Sequence, residues 1–262
     1  MKIEIQKTEK CDTFISIFKH LKHFTDKVSI LIDQDKMYLQ GMDDSHVCIY
    51  ELFLQNTWFD VWNPEFNNSL EYRFGIHLPI FNKMLNICTN FHSIILESQN
   101  GDNLEIHLQS KAPKEAFNYL FDLPLIDLDV DCLSIPETEY EADIIMNSSQ
   151  FKSTIDSLSD FNDTLDIYCN DTSLLLKANS TEGSMKVNIN MDNIDLLAVV
   201  EGETVECSFA IKYISRMCQF YRLSNKVEIH MSPEYPIQII YNIGNDEKNK
   251  MRFYLAPKIS DD

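Results

Sequence analysis

The sequence predicts an α+β protein built from two copies of one plan, with antiparallel sheets and two short helices per copy. Three observations predict it. Phe14, Leu21, Phe24 and Asp26 recur as Phe151, Leu158, Phe161 and Asp163, each pair offset by 137 residues (151 − 14). Leu78, Phe81, Lys83 and Met84 recur as Ile211, Ile214, Arg216 and Met217, offset by 133 (211 − 78). About eighteen short strand patterns stand against only four helical ones, a balance that belongs to antiparallel sheets. Between the copies, Leu120 to Tyr140 has no helical period, contains Pro124 and Pro136, and spaces Leu125, Leu128, Val130, Leu133 and Ile135 among acids. It reads as an extended acidic strap. The expected organisation is a first domain over 1–123, a connecting loop over 124–139 and a second domain over 140–262.

In the first copy, MKIEIQK alternates as a strand with Ile3 and Ile5 on one face. A helix of about three turns follows, striped by Phe14, Ile17, Phe18 and Leu21. Strand patterns come next at Val28–Asp33, Lys36–Gly41, Val47–Leu54, Trp58–Trp62 and Ser69–Ile76. A second helix runs from Pro79 to Thr89, opened by a proline whose missing N–H costs nothing there. Strands at Ser93–Ser98 and Leu104–Ser110 flank the hairpin signal Gln99-Asn100-Gly101-Asp102, and a last strand at Glu115–Leu123 enters the strap.

The second copy repeats the order. A strand at Tyr140–Asn147 leads into a helix from Ser149 to Asp160, with Ser148 or Ser149 as its N-cap. Strands at Thr164–Asn170, Ser173–Asn179, Ser184–Met191, Asp195–Val200 and Glu203–Ala210 precede the fourth helix, Ile211–Leu223. That helix places Lys212 and Arg216 four residues apart on one face. Lys226–Met231, Ile237–Ile243 and Met251–Leu255 complete the sheet patterns before a short charged tail.

The chain has 262 residues, enough for two domains of about 120 to 130 residues that each bury a core. Hydrophobic content of 44% with 11% aromatics indicates folding despite a formal charge of −19. That charge repels nucleic acid on average, so phosphate contact requires locally clustered Lys and Arg. No apolar run reaches the roughly 18 residues of a membrane span, and the N-terminus lacks a signal-peptide core. Seven cysteines without a C-x-x-C pair point to a soluble protein of a reducing compartment, with neither zinc nor disulfides expected.

Asp43-Asp44-Ser45-His46 is the most enzyme-like cluster, two carboxylates and a histidine that could hold a metal or exchange protons. Adjacent residues of an extended chain point in opposite directions, so the expected reading is a polar turn. Phosphate-cradling, zinc-protease and nucleophile-elbow motifs are absent, and no enzyme, metal or cofactor is expected. The helices carry a clearer pattern: Lys19 and Lys22 on the first, Lys83 on the second, Lys152 on the third, and Lys212, Arg216 and Arg222 on the fourth. In a chain where acids outnumber bases 41 to 22, this is a candidate basic strip on an acidic body. Apolar residues also stand where loops are usually polar: Met42, Val47, Leu133, Ile135, Pro236 and Tyr254-Leu255-Ala256-Pro257. Together they could line a groove for a partner.

QGMDDSHVCIYELFL, LIDLDVDCLSIPETEY and FYLAPKISDD resemble, in order and separation, the proliferating cell nuclear antigen family of DNA sliding clamps, and the resemblance covers essentially the whole chain. It implies a ring-shaped homotrimer of six similar domains, helices lining a central channel around double-stranded DNA, antiparallel sheets outside, and the strap as interdomain connecting loop. It also implies a polymerase processivity factor without catalysis of its own, working in the nucleus or, for a large DNA virus, in a replication compartment. Partners of such clamps (DNA polymerase, the clamp loader and repair proteins) insert a peptide bearing a glutamine, an aliphatic and two aromatics.

Carried over by motif, the resemblance puts the peptide pocket at Met42, His46, Val47, Leu133, Ile135, Pro136, Tyr140, Pro236, Tyr254, Leu255, Ala256 and Pro257. The DNA-facing residues implied are Lys19, Lys22, Lys83, Lys152, Lys212 and Arg216. Unpaired strand edges carrying Phe117 and Phe121 on one side, Val187 and Ile189 on the other, are the expected trimer contacts. The chain departs from its relatives at Asn86, Asp156 and Gln219, where basic residues are expected, and at Asp171, where the family has a modifiable lysine. A subunit of a heteromeric checkpoint-type clamp stays open as the alternative, and a nuclease using Asp43, Asp44 and His46 as a distant third.

Overall fold

The computed structural model describes residues 1–64, 71–98, 101–128, 132–200 and 202–258. The start of the strand expected at Ser69, the Gln99-Asn100 half of the hairpin signal, Val130 and Asp131 of the strap, and the last four residues lie outside them. The chain forms two compact units, Met1–Asp44 with Glu51–Leu133 and Ser45–Tyr50 with Ser134–Asp262. The change from one to the other at Leu133 and Ser134 falls within the expected connecting loop.

The first unit contains β1 (Lys2–Ile5), α1 (Thr8–Leu21), β2 (Lys27–Ile32), β3 (Lys36–Met42), β4 (Cys48–Gln55) from Glu51 onward, β5 (Val61–Asn63), β6 (Tyr72–His77), α2 (Leu78–Leu85), β7 (His92–Glu97), β8 (Asn103–Ser110) and β9 (Tyr119–Pro124). One sheet has the order β5-β1-β7-β8-β9, and in the other β6, β2, β3 and β4 are neighbours. The apolar stripe of α1 is fully buried, and its Phe14 and Phe18 meet Phe81 of α2 with ring centroids 6.4 and 4.9 Å apart. Such a cluster supplies the apolar burial that short helices need, since helices of this length are marginal alone. Between the helices, the buried Asn82 Nδ2 donates to the Phe18 carbonyl at 2.9 Å.

The second unit contains β10 (Ala142–Asn147), α3 (Ser148–Ser159), β11 (Thr164–Asn170), β12 (Ser173–Asn179), β13 (Ser184–Ile189), β14 (Ile194–Val199), β15 (Val205–Ala210), α4 (Ile211–Cys218), β16 (Lys226–Met231), β17 (Ile237–Asn242) and β18 (Lys250–Leu255). Its sheets run β14-β10-β16-β17-β18 and β13-β12-β11-β15. The internal repeat is visible at single bonds. The first amide of α2, on Leu78, donates to the Asp26 carbonyl at 2.9 Å, and the first amide of α4, on Ile211, donates to the Asp163 carbonyl at 3.0 Å. Both pairs are positions that match between the copies. Asn86 and Gln219, likewise 133 apart, are the C-caps of α2 and α4.

Several expected elements differ. Trp58–Trp62 is not one strand: Trp58 and Phe59 are consecutive and both buried, which an alternating strand cannot provide, so a 3-10 turn at Asn56–Trp58 precedes β5. The strand expected from Glu115 begins at Tyr119, because Glu115 and Ala116 donate to the Ala112 carbonyl in a local turn. The α2 helix stops at Leu85 rather than Thr89, and the fourth helix passes into a 3-10 segment at Gln219–Leu223. The N-cap of α3 is Asn147, whose side chain accepts from the Gln150 amide at 3.0 Å; Ser148 is buried and its hydroxyl faces the Tyr221 and Ser224 carbonyls at 2.9 and 2.6 Å. Phe161 is 41% exposed although its counterpart Phe24 is buried.

The strap begins as strand. Leu120 to Pro124 belong to β9, and Ile126 then pairs antiparallel with Gly75 of β6 through two amide bonds of 2.9 and 3.0 Å. A Cβ on Gly75 would lie 2.5 Å from the Ile126 carbonyl oxygen and 2.7 Å from the Leu128 side chain. The close approach therefore requires glycine. In the second unit, His230 of β16 faces Asp143 of β10, its cross-strand partner, with Nδ1 2.5 Å from the carboxylate. Glu228 lies 3.9 Å from Nε2 and accepts from Asn242 Nδ2 at 2.5 Å. Burial alone would lower the His230 pKa, but the two carboxylates outweigh it and hold the imidazole above its ordinary value.

Two outcomes follow from these contacts. Gly75→Ala should detach segment 125–128 from β6, raising hydrogen exchange at the Ile126 amide by about tenfold, equivalent to ~1.4 kcal/mol; unchanged protection would contradict the close packing. For His230, a raised folded pKa stabilises fully below the ordinary histidine value near ~6.5 and loses that contribution as pH rises through the folded value. Urea unfolding between about pH 6 and pH 9 should therefore show wild type losing more stability than His230→Gln, and parallel profiles would contradict the assignment.

Candidate partner-peptide and DNA surfaces

The best-formed concavity bearing sequence-predicted residues belongs to the second unit, a cavity of about 670 Å³ lined by Ile135, Pro136, Tyr140 and Tyr254 together with Glu137, Glu139, Asp143, His230 and Arg252. Tyr140 ties the chain after the strap to Pro236 by donating its hydroxyl to that carbonyl at 3.3 Å. Burial pushes the Tyr140 phenol up to about 12, so it stays a neutral donor. Arg252 donates to the Tyr254 hydroxyl at 3.0 Å. The Ala256 amide donates to the Val47 carbonyl at 3.0 Å, and the Lys258 amide to the Ser208 carbonyl at 2.8 Å, so the segment after β18 is held through its main chain. Pro136, Pro236, His46 and Val47 are exposed beside Ile135, Ala256 and Pro257 of intermediate burial. Leu255 is the correction: its side chain is 1% exposed and belongs to the core, leaving only its main chain for any ligand.

The two remaining pocket residues, Met42 and Leu133, belong to the first unit. Leu133 is 46% exposed and is held by a residue the sequence reading passed over. Buried Gln40 accepts from the Leu133 amide at 2.6 Å and donates to its carbonyl at 2.9 Å, a side chain acting as a one-residue strand partner. Its amide is oriented by Glu51 at 3.3 Å, which in turn accepts from Tyr38 at 2.6 Å. No motif signals this, because the partners are 93 residues apart. At the enzyme-like cluster, Asp43 is buried while Asp44, Ser45 and His46 are exposed in a turn.

The helix cations divide by unit. On the first, Lys19, Lys22 and Lys83 are exposed. On the second, Lys212 and Arg216 flank the Tyr213 ring at 5.1 and 5.4 Å. Lys152 differs, since its ammonium pairs with Asp156 one turn on, which neutralises part of its charge. Among the described residues, Glu97, Glu105 and His107 group their ligand atoms as a metal site would, but Lys2 already places its ammonium 2.7 Å from Glu97.

Among the sheet edges of the described residues, which also include β5, β14 and β15, two carry the sequence-predicted contact residues. β9 ends one sheet with Phe121 half-buried and Leu120 exposed, and Phe117, 78% exposed, precedes it; the Phe117 carbonyl accepts from His92 at 2.8 Å. β13 ends another, its Val187 and Ile189 half-buried between exposed Lys186 and Asn188.

Both halves of the chain match family models, Proliferating cell nuclear antigen, N-terminal domain over residues 4–132 and C-terminal domain over 134–258. Proliferating cell nuclear antigen of Chaetomium thermophilum is 31% identical over 231 residues, 86% of each chain. Among solved structures, PCNA from Thermococcus kodakaraensis superposes with a TM-score of 0.86 at 18% identity over 98% of this chain and 99% of that one. Proliferating Cellular Nuclear Antigen from Entamoeba histolytica gives 0.83 at 23% identity over 98% of both. The PCNA2-PCNA3 complex from Sulfolobus tokodaii gives 0.83 at 22% over 98% and 99%. At these identities the structures establish a shared fold, while the two domain matches and the fungal relative establish kinship: the chain belongs to the proliferating cell nuclear antigen family.

Proposed function

We propose that this chain is a DNA sliding clamp, a homotrimeric ring that encircles double-stranded DNA, acts as a polymerase processivity factor and docks replication and repair proteins. The single observation that carries the reading is the pair of bare sheet edges, β9 on one unit and β13 on the other, in a member of this family. Exposed edges invite pairing with another chain, and two different edges on one chain give head-to-tail contacts that a suitable rotation closes into a ring. Phe117, Phe121, Val187 and Ile189 are the proposed contacts. Six basic helix residues per chain, Lys19, Lys22, Lys83, Lys152, Lys212 and Arg216, would line the channel of a body carrying −19. Contact with phosphates is then weak, independent of sequence and sensitive to salt, and threading supplies the retention. We assign the clamp domains to 1–123 and 140–262, the connecting loop to 124–139, and its place of work to the nucleus or a viral replication compartment.

The docking surface is proposed at His46, Val47, Ile135, Pro136, Tyr140, Pro236, Tyr254, Ala256 and Pro257 of the second unit, and Met42 and Leu133 are proposed as peptide contacts of the first unit. Methionine, proline and aliphatic side chains suit an adaptable apolar site, and exposed main chain after β18 can bond a peptide backbone. Loaded onto nicked circular DNA, the protein should stay bound in moderate salt and leave when the circle is cut; equal loss from circle and line would overturn the ring. In calorimetric titrations with a consensus clamp-binding peptide, Ile135→Ala should lose roughly 1–2 kcal/mol of affinity. Gln40→Ala should weaken the same peptide by releasing Leu133, and wild-type affinity in both variants would move the pocket elsewhere.

A further inference from the structure

A row of directly paired residues crosses the sheet of the second unit: Asp143 of β10, His230 of β16, Gln238 of β17 and Tyr254 of β18. Residues paired in this way project from one face, and all four line the cavity of about 670 Å³ that also holds Ile135, Pro136 and Tyr140. His230 stands in the middle of the row. Its Nδ1 lies 2.5 Å from Asp143, its Nε2 3.9 Å from Glu228, and its ring centroid 5.8 Å from that of Tyr140. Tyr140 in turn holds Pro236 through its hydroxyl at 3.3 Å. The other charged groups around the imidazole are Arg252 of β18, which donates to Tyr254, Lys250 of the same strand near Glu228, and Glu137 and Glu139 of the segment after Ile135.

We propose, on the reading that a partner peptide docks here, that His230 is a positioning residue of the site: its imidazolium, held between two carboxylates, sets the ring of Tyr140, and docking weakens when the imidazole loses its proton. Only the protonated ring offers an N–H to both acids. The neutral ring keeps one N–H, and with it on Nδ1, facing the nearer Asp143, Nε2 turns a lone pair toward the Glu228 carboxylate. Glu228 is not free to retreat, because it accepts from Asn242 Nδ2 at 2.5 Å. The ring therefore tilts away from Glu228, and its contact with Tyr140 changes with it. Tyr140 itself, its phenol pushed up to about 12, keeps its proton throughout the neutral range. Burial opposes charge on His230, but Glu228 and Asp143 outweigh it and hold the pKa above its ordinary value. Affinity is thus full below the ordinary histidine value near ~6.5 and is lost as pH rises through the folded value.

The test is calorimetric titration of the full chain with a consensus clamp-binding peptide that has blocked ends and no ionisable side chain, from about pH 6 to about pH 9. Wild-type affinity should fall about fivefold across that range, at the low end of couplings between sites. His230→Gln should bind at the wild type's high-pH level with a flat profile. His46→Gln, which removes the other histidine of the docking surface, should keep the fall whatever its affinity. A measurement on wild type alone stands beside these variants: by reciprocity, peptide should raise the titration midpoint of the His230 ring, read from its imidazole resonances. A flat wild-type profile, a fall that persists in His230→Gln, or a midpoint unmoved by peptide would overturn the proposal and leave the docking surface standing. Failure of the peptide to bind wild type at any pH would overturn both.

Discussion

An unpaired sheet edge is the constraint on which the architecture depends. A strand at the end of a sheet presents a row of amides and carbonyls that water, another strand or a covering segment must satisfy. This chain covers one such row itself: β6 ends its sheet, and the strap returns at Ile126 to bond Gly75 on both sides. It leaves β9 and β13 without such cover, each with apolar residues that are only half-buried. In the proposed clamp both behaviours have a use, since the covered edge fixes the segment after β9 and the bare edges are the proposed contacts between identical chains. The first amides of α2 and α4 are satisfied in the same way, by the Asp26 and Asp163 carbonyls in the turns after α1 and α3.

Much of the fold was legible because it rests on periodicity. The apolar stripes of α1 and α3 could be read directly, and their offset of 137 residues reflects real duplication, since Phe14 and Phe151 are both buried. Where reading failed, a tertiary contact had overridden the local pattern. Consecutive burial of Trp58 and Phe59 broke an apparent strand, and a local turn at Ala112–Ala116 delayed β9. Asn147 rather than serine caps α3, because Ser148 is drawn inward to Tyr221 and Ser224. Phe161 shows that a repeated residue need not keep a repeated environment.

The candidate docking surface was legible as a set of apolar residues in polar company, and less so as a mechanism. Leu255 sits in the same run as Tyr254 and Ala256, yet its side chain faces the core, which composition cannot distinguish. Gln40 looked like an ordinary strand residue; its role exists only because Leu133, 93 residues later, lies against it. Charge behaved similarly. Lys152 counted as a free cation in sequence, whereas Asp156 one turn away shares its charge. The positive lining proposed for DNA is thus weaker in the second unit than a tally of lysines implies, consistent with retention that comes from threading.

The central claim is that identical chains close upon themselves through β9 and β13. Its most direct test is the mass of the purified protein in solution, by sedimentation equilibrium or native mass spectrometry across a range of concentrations. The account predicts particles of three 30.5 kDa chains. A chain that stays single throughout that range, or assembles only when a second polypeptide is supplied, would contradict it.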